Sequence, residues 1–249
     1  MRLSFPLLYL ITLLSLPHIH AQTIVSDINS DGCVNLNDML TLLSEYGQCD
    51  EQLVFTCGDY VSHENYYYST VQIGNQCWFS TNCRYLPSVS PSLSFSSSAP
   101  YYYVYGFEGS DVIAAKSSCN YNIYGVLYNG PAVMDPGICP NGWHIATDLE
   151  WTELTNFLGG LSVAGPSMMS TCGWNNDAWG TNLSGFNGLP GGTSFPGGFV
   201  LDGDDTYWWS STTSGSSSSW IRMMEGQGGT INRVERNIIY GLSARCIKD

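Results

Sequence analysis

Apolar residues follow three patterns along the chain, and each predicts a different element. The first is a run over residues 3–16, interrupted by Ser4, Pro6, Thr12 and Ser15. Arg2 leads it and His20-Ala21 follows it, so residues 1–21 are expected to be an export signal cleaved before Gln22. The run is shorter than the roughly 20 residues a membrane span needs. No second run of that kind follows, and no membrane span is expected. The second pattern has the helical period. Met39, Leu40, Leu42, Leu43 and Tyr46 recur up to Gly47, and Trp151, Leu154, Phe157 and Leu158 form one apolar face up to Gly159-Gly160. Thr147 and Glu150 ahead of the second face read as a capping box, each side chain serving the other residue's backbone N–H. The third pattern is alternation. Residues 219–224 and 233–247 read as strands separated by a turn at Gly226-Gln227-Gly228-Gly229. In the second strand Leu242, Ala244 and Cys246 would share a face, with Ser243, Arg245 and Ile247 opposite.

Charge narrows the partners. With 8 Lys+Arg against 21 Asp+Glu the net charge is −13, so no basic patch of useful size can be assembled and nucleic acid is excluded as a partner. A charged fraction of 12% beside 16 Tyr, 8 Trp and 27 Gly suits an extracellular, loop-rich domain. Export also changes the meaning of the 9 cysteines. In an oxidising compartment most should pair, and the odd count leaves at least one free or intermolecular. There is no CxxC spacing, and His63 and His144 are the histidines left after Gln22, so zinc is not expected.

The segment Asp27-Ile28-Asn29-Ser30-Asp31-Gly32-Cys33-Val34-Asn35-Leu36-Asn37-Asp38 has the spacing of an EF-hand-type loop. Asp27, Asn29, Asp31, Asn35 and Asp38 place oxygen side chains at loop positions one, three, five, nine and twelve, and Gly32 turns the chain at six. A hard cation needs oxygens converging within about 2.3–2.6 Å, and this spacing wraps them around one point. Cys33 would add its backbone carbonyl, and Val34 would point inward to pack. Calcium is the cofactor this loop implies. Asp38 at the last position, together with the helical face that follows, resembles a dockerin repeat, and that implies a cohesin-like domain as a partner. Dockerins carry two packed repeats, and one is recognisable here. A Cys33–Cys49 disulfide would staple a unit too small to bury its own core. The expected organisation is an export signal over 1–21, a calcium hairpin over 22–50, a polar link over 51–56 and one domain over 57–249.

That last domain carries a family's motifs in order. Thr70-Val71-Gln72-Ile73-Gly74-Asn75-Gln76-Cys77-Trp78-Phe79-Ser80-Thr81-Asn82-Cys83-Arg84-Tyr85 resembles the opening "TVxIGxQxWMAENLxY" of the Fibrobacter-type major paralogous domain (FISUMP) family. Tyr124-Gly125-Val126-Leu127-Tyr128-Asn129 follows, then Cys139-Pro140-Asn141-Gly142-Trp143-His144, then Gly180-Thr181-Asn182-Leu183-Ser184-Gly185-Phe186. Trp209-Ser210-Ser211-Thr212 and Ala244-Arg245-Cys246-Ile247-Lys248-Asp249 complete the order. Ser80-Thr81 and Ala146 depart from the family's usual acidic residue and proline. Cys119 and Cys172 stand where the family more often has small polar residues, and one extra disulfide between them is expected. The end motifs are similar to those of the C-type-lectin-like group of folds, which also houses formylglycine-generating enzymes. The resemblance therefore implies an α+β fold with short helices, a small twisted antiparallel sheet, long loops and neighbouring termini. In such a fold a Cys139–Cys246 disulfide would tie the helix to the final strand. Cys57, Cys77 and Cys83 are left to make one bond, with the choice open.

A catalytic thiol must be exposed and of low pKa; Arg84 and Arg245 are the only basic neighbours, and each adjoins a cysteine expected to be disulfide-bonded. His144, between Trp143 and Ile145, reads as a buried histidine bonded to backbone rather than a catalytic base. No enzymatic activity is expected. Two loops suit binding instead. Asp202, Asp204 and Asp205 lie beside Tyr207, and Trp174, Asn175, Asn176, Asp177 and Trp179 interleave aromatics with amides and a carboxylate. Aromatic faces cover the apolar surface of sugars while Asn and Asp accept from hydroxyls. Asp177, Asp202, Asp204, Asp205, Trp174 and Trp179 are thus the candidate ligand-binding residues. Trp208 and Trp209 read as the start of a core strand. Residues 87–100, 101–105 and 210–219 read as irregular surface segments. The expected role is secreted or surface-located recognition or adhesion, with an extracellular polysaccharide or a surface protein as partner. The alternative is an accessory part of a polysaccharide-degrading assembly, recruited through the dockerin-like repeat.

Overall fold

The chain divides into two units, Met1–Val54 and Phe55–Asp249. A computed structural model describes residues 34–36, 38–40, 55–175, 179–226 and 228–249, with the backbone alone at 201 and 202. In the first unit Leu36 and residues 38–40 are helical. The Asn35 N–H donates to the Asp38 carboxylate at 2.7 Å, which is one half of a capping box at this helix start. Asp38 is buried, whereas Val34 is 55% exposed and does not pack inward as expected. The inward position at this turn belongs to the capping carboxylate. Asp27, Asn29, Asp31, Cys33 and Cys49 lie outside the described residues.

The second unit alternates strands with short helices: β1 (Tyr60–His63), β2 (Tyr66–Ile73), β3 (Gln76–Phe79), β4 (Tyr102–Tyr103), α1 (Val112–Lys116), α2 (Cys119–Tyr124), β5 (Leu127–Tyr128), α3 (Gly130–Val133), β6 (Trp143–Ile145), α4 (Asp148–Phe157) and α5 (Gly165–Met168). The last third is strands: β7 (Gly191–Phe195), β8 (Gly198–Asp202), β9 (Asp205–Thr213), β10 (Ser218–Glu225), β11 (Ile231–Asn237) and β12 (Cys246–Lys248). They form two five-stranded sheets, ordered β1-β2-β3-β12-β6 and β11-β10-β9-β7-β8, and a small pair β4-β5. The first sheet is antiparallel throughout, and β12 enters it between β3 and β6, so the last strand closes on the first strands of the unit. The architecture is α+β, mostly antiparallel sheet with few short helices. Among the described residues no helix is long and apolar enough to cross a membrane.

Two apolar cores lie on either side of a middle layer. Neighbouring residues of a strand point to opposite faces, so Trp209 enters one core and Trp208 the other. Phe79 and Trp78 divide the same way, as do Cys246 and Ile247. The four indoles of Trp78, Trp151, Trp208 and Trp209 are wholly buried. Each finds an acceptor for its N–H: Gln76 Oε1, the Trp209 carbonyl, Asn82 Oδ1 and the Tyr128 carbonyl. Burying a side chain of this size contributes on the order of 3 kcal/mol, and the satisfied N–H removes the penalty that would offset it.

Several expectations hold. Thr147 and Glu150 form the reciprocal capping box of α4. Trp208 and Trp209 are core residues of β9. Cys139–Cys246 is a disulfide, and of the open trio Cys57 pairs with Cys77. Others are corrected. Residues 233–247 do not form one strand: β11 ends at Asn237, the chain turns, and β12 begins at Cys246. Residues 242–247 are nonetheless buried on both faces, because they pass between the two cores. Phe157 is 65% exposed, lying over Gly74 instead of in the core with Trp151 and Leu154. Cys119 and Cys172 are unpaired and exposed. Cys119 opens α2 behind its Ser118 cap, while Cys172 belongs to the loop after Met169, and the fold does not bring them to bonding distance. Tyr102 and Tyr103 are buried in β4 rather than in a surface loop. Residues 210–213 and 218–219 extend β9 and β10, leaving only a short turn between them.

Candidate functional site

Three loops meet at one edge of the second sheet. The β8–β9 turn carries Gly203 at φ +80°, a conformation glycine adopts without strain. A side chain there would collide with Asn175, since an added Cβ would lie 2.5 Å from its Nδ2. The Asn175 N–H donates to the Gly203 carbonyl at 2.7 Å, and Asn175 Nδ2 donates to Asp204 Oδ1 at 3.3 Å. The Gly226 N–H, just after β10, donates to the Asp204 carbonyl at 2.8 Å. Trp174 lies against Gly226, and its indole N–H reaches the Ser170 hydroxyl at 3.0 Å and the Gly188 carbonyl at 3.3 Å.

The two loops singled out in the sequence are therefore one feature. Their residues take different parts in it. Trp174 is half-buried against the second core and anchors the loop. Asn175 and Asp204 are exposed and bonded to each other. Trp179, four residues on, is 85% exposed. Asp205 is half-buried and accepts from the Tyr207 hydroxyl at 2.9 Å. Burial raises its pKa; the Tyr207 hydrogen bond opposes this and the charge of Asp204 adds to it. Asp177 and the Asp202 side chain lie outside the described residues.

Two further clusters were not anticipated. His144 is not a backbone-bonded core histidine. Its side chain is 38% exposed, with Nδ1 2.6 Å from Asp249 Oδ1 and Nε2 2.9 Å from Glu150 Oε1. Partial burial opposes the charged ring, but the Asp249 and Glu150 carboxylates outweigh it and raise the pKa. The pairing arises because β6 and β12 are neighbours and α4 starts directly after β6. Asp148, the first residue of α4, is clamped by Arg222 at 2.7 Å and Arg233 at 2.8 Å. Burial works against its ionisation, and the two arginines more than reverse that, lowering its pKa.

Arg84 and Arg245 do adjoin cysteines, but in a setting that quiets them. Arg245 is fully buried and directs its N–H groups at Asn82 Oδ1 (2.8 Å) and at the carbonyls of Phe79, Phe186 and Asn187. Burial lowers its pKa to about 9, so it remains charged near neutrality. The Cys83 sulfur lies 3.4 Å from that of Cys246, inside a disulfide, and burial pushes the Cys83 thiol up to about 12. Such a thiol is the opposite of an activated nucleophile.

Residues 71–248 match the model of the Fibrobacter succinogenes major domain, and the chain belongs to that family. Comparison with curated proteins and with solved structures returned no match.

Proposed function

We propose that this chain is an exported, non-catalytic recognition protein that binds polysaccharide through the Asn175–Asp204 edge and the Trp179 indole. The observation that carries the reading is the Trp179 indole, 85% exposed in a chain whose other large aromatics are mostly in the core. An indole face left in water and an exposed amide–carboxylate pair are the two kinds of contact a sugar ring uses. Asn175 and Asp204 stand ready at 3.3 Å from one another to trade their mutual bond for ligand hydroxyls. The fold class behind this surface is read as C-type-lectin-like, from the family resemblance and the closure of β12 onto β3. Calcium is assigned to the N-terminal hairpin, through Asp27, Asn29, Asp31, Asn35, Asp38 and the Cys33 carbonyl. The ligand spacing supports that assignment, and the buried Asp38 carboxylate is consistent with it.

The test is a glycan array probed with the mature chain, with calcium and with chelator, alongside Trp179→Ala. The reading expects glycan signals that Trp179→Ala abolishes while leaving the melting temperature unchanged. Glycan binding that survives Trp179→Ala would move the site elsewhere. A blank array would remove polysaccharide as the ligand. Chelator separates the two assignments, because loss of binding on chelation would couple the hairpin to the glycan site.

A further inference from the structure

Among the described residues Arg236 is the one arginine whose side chain bonds no oxygen. Five arginines are among the described residues. Arg84 donates to the Tyr121 and Asn122 carbonyls, Arg222 and Arg233 to Asp148, and Arg245 to Asn82 and three carbonyls. Arg236, half-buried on β11, has no side-chain hydrogen bond or ion pair among the described residues; its neighbours are the rings of Tyr207 at 5.8 Å and Tyr240 at 5.7 Å. In a chain of net charge −13, an unpaired guanidinium is not explained by a shortage of carboxylates.

The group lines a half-open cleft of about 160 Å³. Phe195, Tyr207 and Tyr240 wall it with rings, and Val200 and Leu242 add methyl groups. Two of its three hydroxyls are already engaged: Thr193 donates to the Gly241 carbonyl at 3.0 Å, and Tyr207 donates to Asp205 at 2.9 Å. Asp205 is thereby held by the tyrosine hydroxyl and not by Arg236. An apolar cavity of about 150 Å³ is enough for one benzene ring, so the space suits a single ring. The guanidinium fork matches a carboxylate with two parallel hydrogen bonds. A sugar ring would bury several hydroxyls against walls that offer them few partners, which is unfavourable.

We propose that this cleft binds a monocyclic aromatic carboxylate, its carboxylate on Arg236 and its ring against Tyr207, Tyr240 and Phe195. The site uses residues distinct from Asn175, Trp179 and Asp204 and does not depend on their proposed role.

The experiment is calorimetric and ligand-observed NMR titration of the full mature chain with benzoate, methyl benzoate and glucuronate. Benzoate is expected to bind saturably, and methyl benzoate, which keeps the ring but loses the charge, about tenfold more weakly or worse. Arg236→Gln is expected to reduce benzoate affinity by a similar factor with an unchanged circular dichroism spectrum. The ester comparison needs no variant, so misfolding of Arg236→Gln would leave the test intact. Absence of saturable benzoate binding overturns the proposal. Equal binding of acid and ester removes the role of Arg236, and tighter binding of glucuronate than benzoate overturns the aromatic class.

Discussion

Both disulfides among the described residues fasten the first sheet: Cys57–Cys77 ties the segment before β1 to β3, and Cys139–Cys246 ties the approach to β6 onto β12. The second sheet has no such bond among the described residues. It is held by the buried indoles of β9 and by Arg222 and Arg233 of β10 and β11 closing on Asp148 of α4. The exposed Asn175–Asp204 edge and the Arg236 cleft both belong to this second sheet. The difference separates two tasks. Cross-links act chiefly by restricting the unfolded chain, and they sit where the ends of the unit meet. Packing and charge position the exposed edge and the cleft.

The contrast is tested most severely at Cys139–Cys246. Replacing both cysteines by alanine opens a link of sequence separation 107 and is expected to cost about 4–5 kcal/mol, read from the denaturant midpoint. A loss under about 1 kcal/mol would mean that the first sheet, too, depends mainly on packing. On the second sheet the corresponding change is Asp148→Asn. It leaves Arg222, wholly buried, without its counter-charge and should cost about 3 kcal/mol. The pH dependence has a definite sign. The folded-state pKa of Asp148 lies below its ordinary 3.8, so its contribution is present above that value and is lost as pH falls through the lower, folded one. Acid unfolding of the Asp148→Asn variant should accordingly be shallower than that of the parent. The smallest effect belongs to His144. Its folded pKa is raised above 6.5, so the link to Glu150 and Asp249 contributes fully below 6.5 and fades as pH rises through the folded value. For a ring this exposed the gain is below about 1 kcal/mol, visible as a slightly higher melting temperature on the acid side that disappears in His144→Gln.

Local signals suffice where a few adjacent residues decide the outcome. The Thr147–Glu150 capping box and the apolar character of Trp208 and Trp209 are properties of short segments. Cys139–Cys246 was reachable because the family resemblance placed the final strand beside the helix. The misses share one cause. His144 was read from its apolar neighbours, yet its partners come from residues 150 and 249. A Cys119–Cys172 bond is expected because both stand outside the family's pattern, and the fold leaves them unpaired. Arg236 gave no signal in the sequence, because an arginine in an alternating strand is usually a solvated one. Its isolation shows only when the oxygens claimed by the other four described arginines are known.

By itself the sequence determined the family, through its ordered motifs, the capping box of α4 and the interior placement of Trp151, Leu154, Trp208 and Trp209. The last two follow from local signals that act over a few residues. Only the tertiary structure decided that the loops at Asn175 and Asp204 are a single edge, that β9 and β12 run between two cores, and that the Arg236 guanidinium lines a cleft walled by Phe195, Tyr207 and Tyr240. Each of those depends on contacts between residues far apart in the chain, and such contacts are set by how the two sheets pack rather than by any local pattern.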